Sequence, residues 1–195
     1  MLIIISPENT IPCEPQIINQ LFDDGLELLH VRKYQFSDDE MRFYLGEIKA
    51  NYYSKIVLHS HFHLAEKFGI HRLHIREIDR KNENFPQAKH WHLSTSVHSI
   101  DDFNQLEEHW QYAFLSPVFL SISKKGYGEH SDVLAQIFMR TNFHTKLLAL
   151  GGITAENIEK VLQHGADGAA LLGSIWLSKD PFEEFFRLKC ILKSI

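Results

Sequence analysis

The sequence predicts an α/β protein of the (β/α)8 TIM barrel class, and two observations lead to that prediction. Eight short apolar runs recur along the chain, and most segments between them carry apolar residues three and four positions apart, as amphipathic helices do. Strands that alternate with helical crossovers favour a parallel sheet, and eight repeats of this unit favour closure into a barrel. We therefore expect a single compact barrel domain over residues 1–195, with an open doubly wound sheet as the alternative.

The apolar runs define the predicted strands, and the amphipathic stretches define the predicted helices. Strands are expected at residues 2–6, 26–32, 55–60, 72–76, 90–96, 112–118, 146–152 and 168–174. Helices are expected at residues 14–24, 37–51, 62–69, 99–109, 131–140 and 154–165. The connection around residues 79–88 lacks a helical period and is predicted to be mostly loop.

Charge and composition argue against several classes of protein. A formal net charge of −5 without a long basic run lacks the electrostatic signature of nucleic-acid binding. No segment approaches the roughly 20 apolar residues that a membrane-spanning helix needs. The two cysteines, Cys13 and Cys190, lie at opposite ends of the chain. They predict neither a disulfide framework nor a zinc site and fit a reducing cytoplasm, so we expect a cytoplasmic protein without nucleic-acid or membrane partners.

The polar residues that end the apolar runs are the candidate site residues, because a barrel binds its ligands at the carboxyl ends of its strands. They are His30, Arg32, His59, Ser60, His74, Arg76, Ser94, Ser96, His98, residues 116–124, Gly151, Gly152, Gly173 and Ser174. A polar residue or a glycine turn closes each run from the second onward, which predicts a ligand site at this end of the barrel.

Two glycine turns on the last two strands predict a phosphate site. Gly151-Gly152 follows the seventh run directly and precedes a helix expected to be capped near Thr154, and Gly173-Ser174 repeats the arrangement. Backbone N–H groups there can approach an anion without an intervening side chain, and this end of the fold frequently binds phosphate. Ordinary glycine turns are the alternative.

The connection after the sixth run, residues 116–131, is long for a strand-to-helix loop and is expected to cover a ligand. Its Ser121, Ser123 and Lys124 supply hydroxyl groups and a positive charge suited to an anionic substrate. A solvated basic loop is the alternative.

The motifs "LLHVRK", "LHSHFHLAEKFGIHRLHI", "STSVHS", "SPVFLSISKK", "LALGGI" and "GADGAALLGSI" together resemble the thiamin phosphate synthase/TenI family of (β/α)8 barrels. Synthases of that family join a hydroxymethylpyrimidine pyrophosphate to a thiazole phosphate, with Mg2+ as the counter-ion. TenI proteins isomerise a thiazole carboxylate phosphate to its aromatic tautomer. The resemblance implies an enzyme of thiamin biosynthesis with a small-molecule thiazole phosphate substrate.

The resemblance implies that the pyrophosphate half of the synthase site is altered. The synthase pattern has an asparagine–aspartate pair after strand three, where this chain has His59-Ser60, and a hydroxyl poorly replaces a carboxylate on a hard cation. Glu77 or Asp79, after strand four, would supply a carboxylate to Mg2+ if the chain were a synthase. No metal cofactor is the favoured expectation.

The thiazole phosphate half is implied to be retained, and the N-terminal motifs are closer to the TenI branch. Substrate contacts are expected from Arg32, Ser96, Ser121, Ser123, Lys124, Gly151, Gly152, Gly173 and Ser174. His98 lies where TenI proteins carry a catalytic histidine, and a tautomerisation requires a base whose pKa lies near neutrality. His30 is expected to orient the substrate carboxylate with Arg32 or to carry a second proton. The structural alternatives are a helix-capping His98 and a His30–Arg32 pair at the barrel rim.

Three functions follow from these expectations. A thiazole carboxylate phosphate tautomerase that uses acid/base proton transfer is favoured. A thiamin phosphate synthase with a remodelled Mg2+ site is the first alternative, and a noncatalytic barrel that binds a phosphate ligand is the second.

The stretch "VLHSHFHL" places His59, His61 and His63 at alternate positions, which would put three imidazoles on one face of a strand. If Ser60 caps a helix that begins near His61, the spacing no longer gives a common face. A soft divalent cation site would then need ligands from different strands, such as His30 and His74.

The last segment, "PFEEFFRLKCILKSI", is rich in aromatic residues. It predicts either packing of the final helix on the barrel or a homodimer interface.

Overall fold

The computed structural model contains eight parallel strands that close into a barrel, and it describes residues 1–87, 89–120 and 132–194. Each strand pairs with its neighbours in chain order, and β8 returns to β1 with Ile3 opposite Ala170. The strands are β1 Leu2–Ile5, β2 Leu28–Val31, β3 Ile56–Leu58, β4 Arg72–Ile75, β5 His92–Val97, β6 Trp110–Leu115, β7 Lys146–Leu150 and β8 Gly168–Leu171. The predicted fold class is confirmed, and the open sheet is excluded.

Helices follow the strands, several of them shorter than predicted. They are α1 Glu14–Asp23, α2 Asp38–Gly46, α3 Glu77–Lys81, α4 Ile100–Asn104, α5 Val133–Gln136, α6 Ile158–Gln163, α7 Gly173–Trp176 and α8 Pro181–Ser194, with 3-10 turns at Ala50–Lys55, Phe62–Leu64, Glu66–Phe68 and Ile137–Met139. A helix that is long and apolar enough to cross a membrane does not occur in the described residues.

The crossovers after β3 and β4 differ from the prediction. Residues 62–69 were expected to form a helix capped by Ser60, but they form two 3-10 turns, because left-handed residues lie at each end: His61 (φ 56°) and Gly69 (φ 65°). The crossover after β4 is expected to be mostly loop, and residues 82–87 are, but the crossover begins with the short helix α3, which was not predicted. Ion pairs one turn apart, such as Glu77 with Lys81, support that helix.

The barrel interior contains both apolar and polar side chains. Inward residues form an apolar cluster of Ile3, Ile5, Leu28, Val57, Tyr112, Phe114, Leu148 and Ala170, and Ile5 and Phe114 of this cluster lie at or near the carboxyl ends of their strands. His30 follows Leu28 by two residues, so it points into the same interior one layer higher. The larger apolar cluster lies between the strands and the helices, and it includes Phe185 and Leu188 of α8. Helix α8 therefore packs on the barrel, while its Phe186 stays exposed.

A fully buried ion pair joins α1 to the segment that follows β2. Lys33 Nζ donates to Glu14 Oε2 at 2.9 Å, and both side chains have no exposed surface. The hydroxyl of Tyr44 in α2 donates to the other carboxylate oxygen at 2.6 Å. The carboxylate of Glu14 therefore accepts hydrogen bonds from two other segments, and it connects α1 to α2 and to the segment after β2.

We expect Lys33→Met to lower the free energy of unfolding by about 3–5 kcal/mol, because it leaves the Glu14 carboxylate buried without its cation. Urea denaturation followed by circular dichroism measures the change. Lys49→Met is the matched control, since Lys49 pairs with Asp23 at 2.7 Å with both side chains about half exposed, and it should shift the midpoint far less. Equal losses in the two variants would contradict the assignment.

Candidate functional site

A cavity of about 370 Å³ opens at the carboxyl ends of the strands, where the sequence predicts the site. Its lining contains the predicted residues Arg32, His59, His74, Arg76, Glu77, Ser96, His98, Ser116, Gly151, Gly152, Gly173 and Ser174, together with Tyr34. Ser121, Ser123 and Lys124 lie outside the described residues. Their predicted contacts with the substrate remain predictions.

The loop after β7 requires glycine at two consecutive positions. Gly151 (φ 108°) and Gly152 (φ 62°) both lie in the left-handed region, and a Cβ on Gly152 would collide with the carbonyl of Leu120. The amide of Asn157 donates to the carbonyl of Gly152 at 2.9 Å and accepts from the backbone N–H of Thr154 at 2.9 Å. These bonds form a turn, so α6 begins at Ile158 rather than near Thr154 as predicted.

Two buried polar atoms at the cavity have no hydrogen-bond partner among the described residues. They are the hydroxyl of Ser174, at the start of α7, and Nε of Arg32, after β2. Nε of Arg32 lies 3.8 Å from Glu8 Oε2, which is too long for a hydrogen bond. A buried donor without a partner is costly, and a bound anion would satisfy both groups.

His98 lies at the cavity wall with a defined orientation. Its Nδ1 is 2.7 Å from the carbonyl oxygen of Ser116. Because a carbonyl oxygen can only accept, Nδ1 carries the proton in the neutral ring and Nε2 keeps its lone pair. That Nε2 lies 3.6 Å from Glu77 Oε2, and the side chain is 50% exposed. The residue that caps α4 is Ser99, which accepts from the N–H of Asp102, so the helix-capping alternative for His98 is not observed.

The carboxylates predicted as alternative Mg2+ ligands are already paired with cations. Both oxygens of Asp79 accept from the guanidinium of Arg76, at 2.6 and 3.1 Å. Glu77 faces the cavity, but its Oε1 lies 2.8 Å from Nζ of Lys81. A hard cation needs several free oxygen ligands, and the described residues around the cavity do not provide them. The site therefore fits Mg2+ poorly.

A cluster of three buried histidines lies at the base of the cavity, and we call it the histidine cluster: His30, His59 and His74. His30 Nδ1 lies 2.8 Å from His59 Nε2, and His30 Nε2 lies 2.7 Å from the hydroxyl of Tyr112. The two ring nitrogens of His74 contact hydroxyl groups of Ser94 and Ser96, at 3.0 and 2.9 Å. His30 thus lies beneath the cavity lining and touches Tyr112, so the alternative of a His30–Arg32 pair at the rim is not observed, and a role of His30 in catalysis stays a prediction.

Burial decides the ionisation of the histidine cluster. Loss of hydration lowers the pKa of His74 from 6.5 to about 3. The same desolvation, with repulsion from neighbouring positive groups, holds the pKa values of His30 and His59 well below their ordinary range. All three imidazoles are therefore neutral at pH 7, whereas burial raises the pKa of the Tyr34 hydroxyl to about 12 and keeps it protonated.

The structure separates the three histidines of the "VLHSHFHL" stretch, although a left-handed His61 and 3-10 turns follow the strand in place of the expected helix. His59 enters the barrel, His61 donates from Nε2 to the carbonyl of Phe36 at 2.8 Å, and exposed His63 lies 2.8 Å from Asp38. Within the ranges that the structure describes, the one group of metal-ligating side chains is the histidine cluster.

Tyr112 was not a predicted site residue. It lies inside an apolar run and has the sequence signature of a core residue. Only the strand register, which pairs Tyr112 with Ser94, shows that its hydroxyl reaches the histidine cluster.

The chain is similar to known proteins of one family, and the similarity spans most of its length. The family model described as thiamine monophosphate synthase matches residues 2–175. A curated relative, the thiamine-phosphate synthase of Staphylococcus haemolyticus, is 22% identical over 187 residues, covering 91% of this chain and 88% of the relative. That of Bacteroides thetaiotaomicron is 26% identical over 153 residues, covering 71% of each chain.

Solved structures extend the similarity to the whole barrel. The crystal structure of thiamine phosphate pyrophosphorylase from Bacteroides thetaiotaomicron is 27% identical, with a TM-score of 0.79 over 98% of this chain and 97% of that one. The thiamine phosphate pyrophosphorylase from Pyrococcus furiosus, at 17% identity, shares the fold with a TM-score of 0.81 over 99% and 95% of the two chains.

Stability should fall when the pH is lowered below about 6.5, because the unfolded chain binds protons on these histidines. The folded chain does not, since the folded pKa values are depressed, so each histidine contributes a slope of roughly 1 kcal/mol per pH unit. The His74 contribution is lost progressively down to pH about 3. Urea midpoints between pH 7 and pH 4 measure the slope. His74→Asn should reduce it, whereas the exposed-site variant His63→Asn should not. A slope unchanged by His74→Asn would contradict this.

Proposed function

This chain belongs to the thiamine monophosphate synthase family, and from that premise we propose that it is an enzyme of thiamine biosynthesis that isomerises a thiazole carboxylate phosphate by acid/base proton transfer. The observation that carries the proposal is the state of His98. A backbone carbonyl holds the proton on its Nδ1, and the free Nε2 lies at the cavity beside a carboxylate.

Proton transfer follows from this geometry. Nε2 of His98 removes a proton from a substrate carbon, and the Nδ1 bond to Ser116 keeps the ring in the tautomer that can accept it. Glu77, 3.6 Å from Nε2, stabilises the imidazolium that forms. Return of the proton to another carbon completes the isomerisation and restores neutral His98. The histidine cluster is not needed for these steps.

The polar atoms without partners support an anionic substrate. Ser174 and the glycine turn Gly151-Gly152 are placed to contact a phosphate, since the hydroxyl has no partner in the described residues and the turn excludes side chains. Arg32 follows β2, two strands from Ser174 around the barrel, and its guanidinium is suited to a carboxylate. A thiazole carboxylate phosphate would then place its phosphate against the β7 and β8 loops and its carboxylate toward Arg32.

A second candidate is the condensation that forms thiamin phosphate, and the comparisons favour it. The relatives from Staphylococcus haemolyticus and Bacteroides thetaiotaomicron are named thiamine-phosphate synthase. Against it, the carboxylates that would hold Mg2+ are paired with Arg76 and Lys81. The two reactions share the thiazole phosphate, so the contacts of Ser174 are the same in both.

We expect purified protein to isomerise thiazole carboxylate phosphate in D2O in the presence of EDTA, as followed by proton NMR. His98→Ala should slow the reaction by about 100-fold or more while substrate affinity is retained, because it removes the base and not the anion contacts. His63→Ala, which changes an exposed histidine that does not line the cavity, should leave the rate unchanged.

The same assay with Mg2+ and hydroxymethylpyrimidine pyrophosphate distinguishes the candidates. Thiamin phosphate formed without isomerisation would overturn the first proposal in favour of the second. Ligand binding without either product would indicate a noncatalytic barrel.

Ser174→Ala should weaken binding of the thiazole phosphate about tenfold, because a hydrogen bond to a charged group is lost. Calorimetric titration measures the affinity. The stability of the free protein should not fall, since the hydroxyl has no partner to lose. Ser178→Ala is the control in the same segment, because its hydroxyl donates to the carbonyl of Ile175 at 2.7 Å and faces no ligand. Lost stability with unchanged affinity in Ser174→Ala would assign that residue a purely structural role.

A further inference from the structure

We propose that His30, His59 and His74 form a binding site for one divalent cation of the late first transition row, with Zn2+ as the reference ion. The inference concerns the histidine cluster alone and does not depend on which reaction the cavity supports. It rests on the convergence of three strands, the distances between ring nitrogens and the surroundings of each ring.

The strand register brings the three imidazoles together. His30 belongs to β2 and pairs with Val57, and His59 follows β3 directly. Leu58 pairs with Leu73, so His59 and His74 are at the same level on neighbouring strands. His30 lies two residues behind His59 in this register, and the centroids of the three rings are nonetheless 4.2 to 5.3 Å apart.

The distances match a site that needs little rearrangement. One ligand nitrogen from each ring lies within 4.8 Å of the others, and His30 Nδ1 and His59 Nε2 are 2.8 Å apart. The rings of His59 and His74 lie face to face with centroids 4.2 Å apart. Zinc–imidazole bonds are about 2.0–2.1 Å, so an ion between the three nitrogens requires shifts of side chains and not of strands.

Apart from the contact between His30 and His59, the ring nitrogens of the cluster meet hydroxyl groups, which can donate or accept. The Nδ1–Nε2 contact between His30 and His59 holds a proton that a cation would displace. His30 can then carry its proton on Nε2 and donate it to Tyr112, 2.7 Å away. Ser94 and Ser96 bond the two nitrogens of His74 and can release either one. Outer partners of this kind orient the histidine ligands of metal sites.

The charge around the cluster sets both the kind of ion and the strength of binding. All three ligands are neutral nitrogen donors, which suit Zn2+, Ni2+ or Cu2+ and not Mg2+. Arg32 and Arg76 line the same cavity and oppose a dication, so binding should be weaker than at a site with a carboxylate ligand. His59 and His74 also line that cavity, which leaves the fourth coordination position facing it and available to an anionic oxygen.

The test is titration of untagged protein, freed of metal with EDTA, first with Zn2+ by calorimetry and then with Co2+ by visible absorption. We expect one tight Zn2+ site per chain, a Co2+ spectrum of tetrahedral type, and no competition from excess Mg2+. X-ray absorption of the Zn2+ form should show three imidazole ligands. Because this measurement uses the wild-type protein, it tests the three-histidine site even if substitutions in the cluster prevent folding.

Variants separate this site from the other histidines of the chain. His74→Asn and His59→Asn should each weaken Zn2+ binding by more than the 10- to 100-fold that loss of an outer partner typically costs. His63→Asn should have no effect on the tight site. The proposal would be overturned if the wild-type protein did not bind Zn2+, or if tight binding persisted in both cluster variants. An X-ray absorption spectrum with fewer than three imidazole ligands would overturn it as well.

Discussion

Closure of the barrel through the β1–β8 pairing is the constraint on which the site depends. The pairing of Ile3 with Ala170 closes the ring of eight strands, and alternate residues of each strand then point into the enclosed interior. The polar residues that end the strands then meet at a single mouth, although they are far apart in sequence. His30 lies beneath the cavity and Ser174 lines it. They belong to one cavity region because β2 and β8 both neighbour β1.

Two sides of the barrel mouth carry different functional groups. On the β7–β8 side, the glycine turn and Ser174 present small donors with nothing between them and the cavity. On the β2–β4 side, buried imidazoles lie beneath the guanidinium groups of Arg32 and Arg76. His98 lies between these sides, next to the one carboxylate that lines the described part of the cavity. A base there would act on a substrate whose charged ends are held by the two sides.

The residues that the sequence predicted well are those whose signal is local. The eight apolar runs and the Gly151-Gly152 turn follow from period and glycine content, which neighbouring residues determine. The predictions that failed concern residues whose environment depends on strands elsewhere in the barrel or on backbone conformation. His30 has the same local pattern in a rim position as in a buried one, and only the register places it against Tyr112. The helix predicted at residues 62–69 failed because His61 adopts a left-handed conformation, which its residue type does not require.

The histidine cluster is difficult to explain as core packing alone. Apolar side chains of similar volume would fill the interior without desolvating ring nitrogens, as Phe114 does where its ring packs against His30 and His74. Instead, each ring nitrogen of His30 and His74 is matched by a hydroxyl or by another imidazole, and the partners come from β3, β5 and β6. Because each proton position determines the next, the protonation of these groups is coupled across the barrel interior. A network of this kind holds three neutral imidazoles at the base of an open cavity, which is the arrangement that a cation with one free coordination position requires.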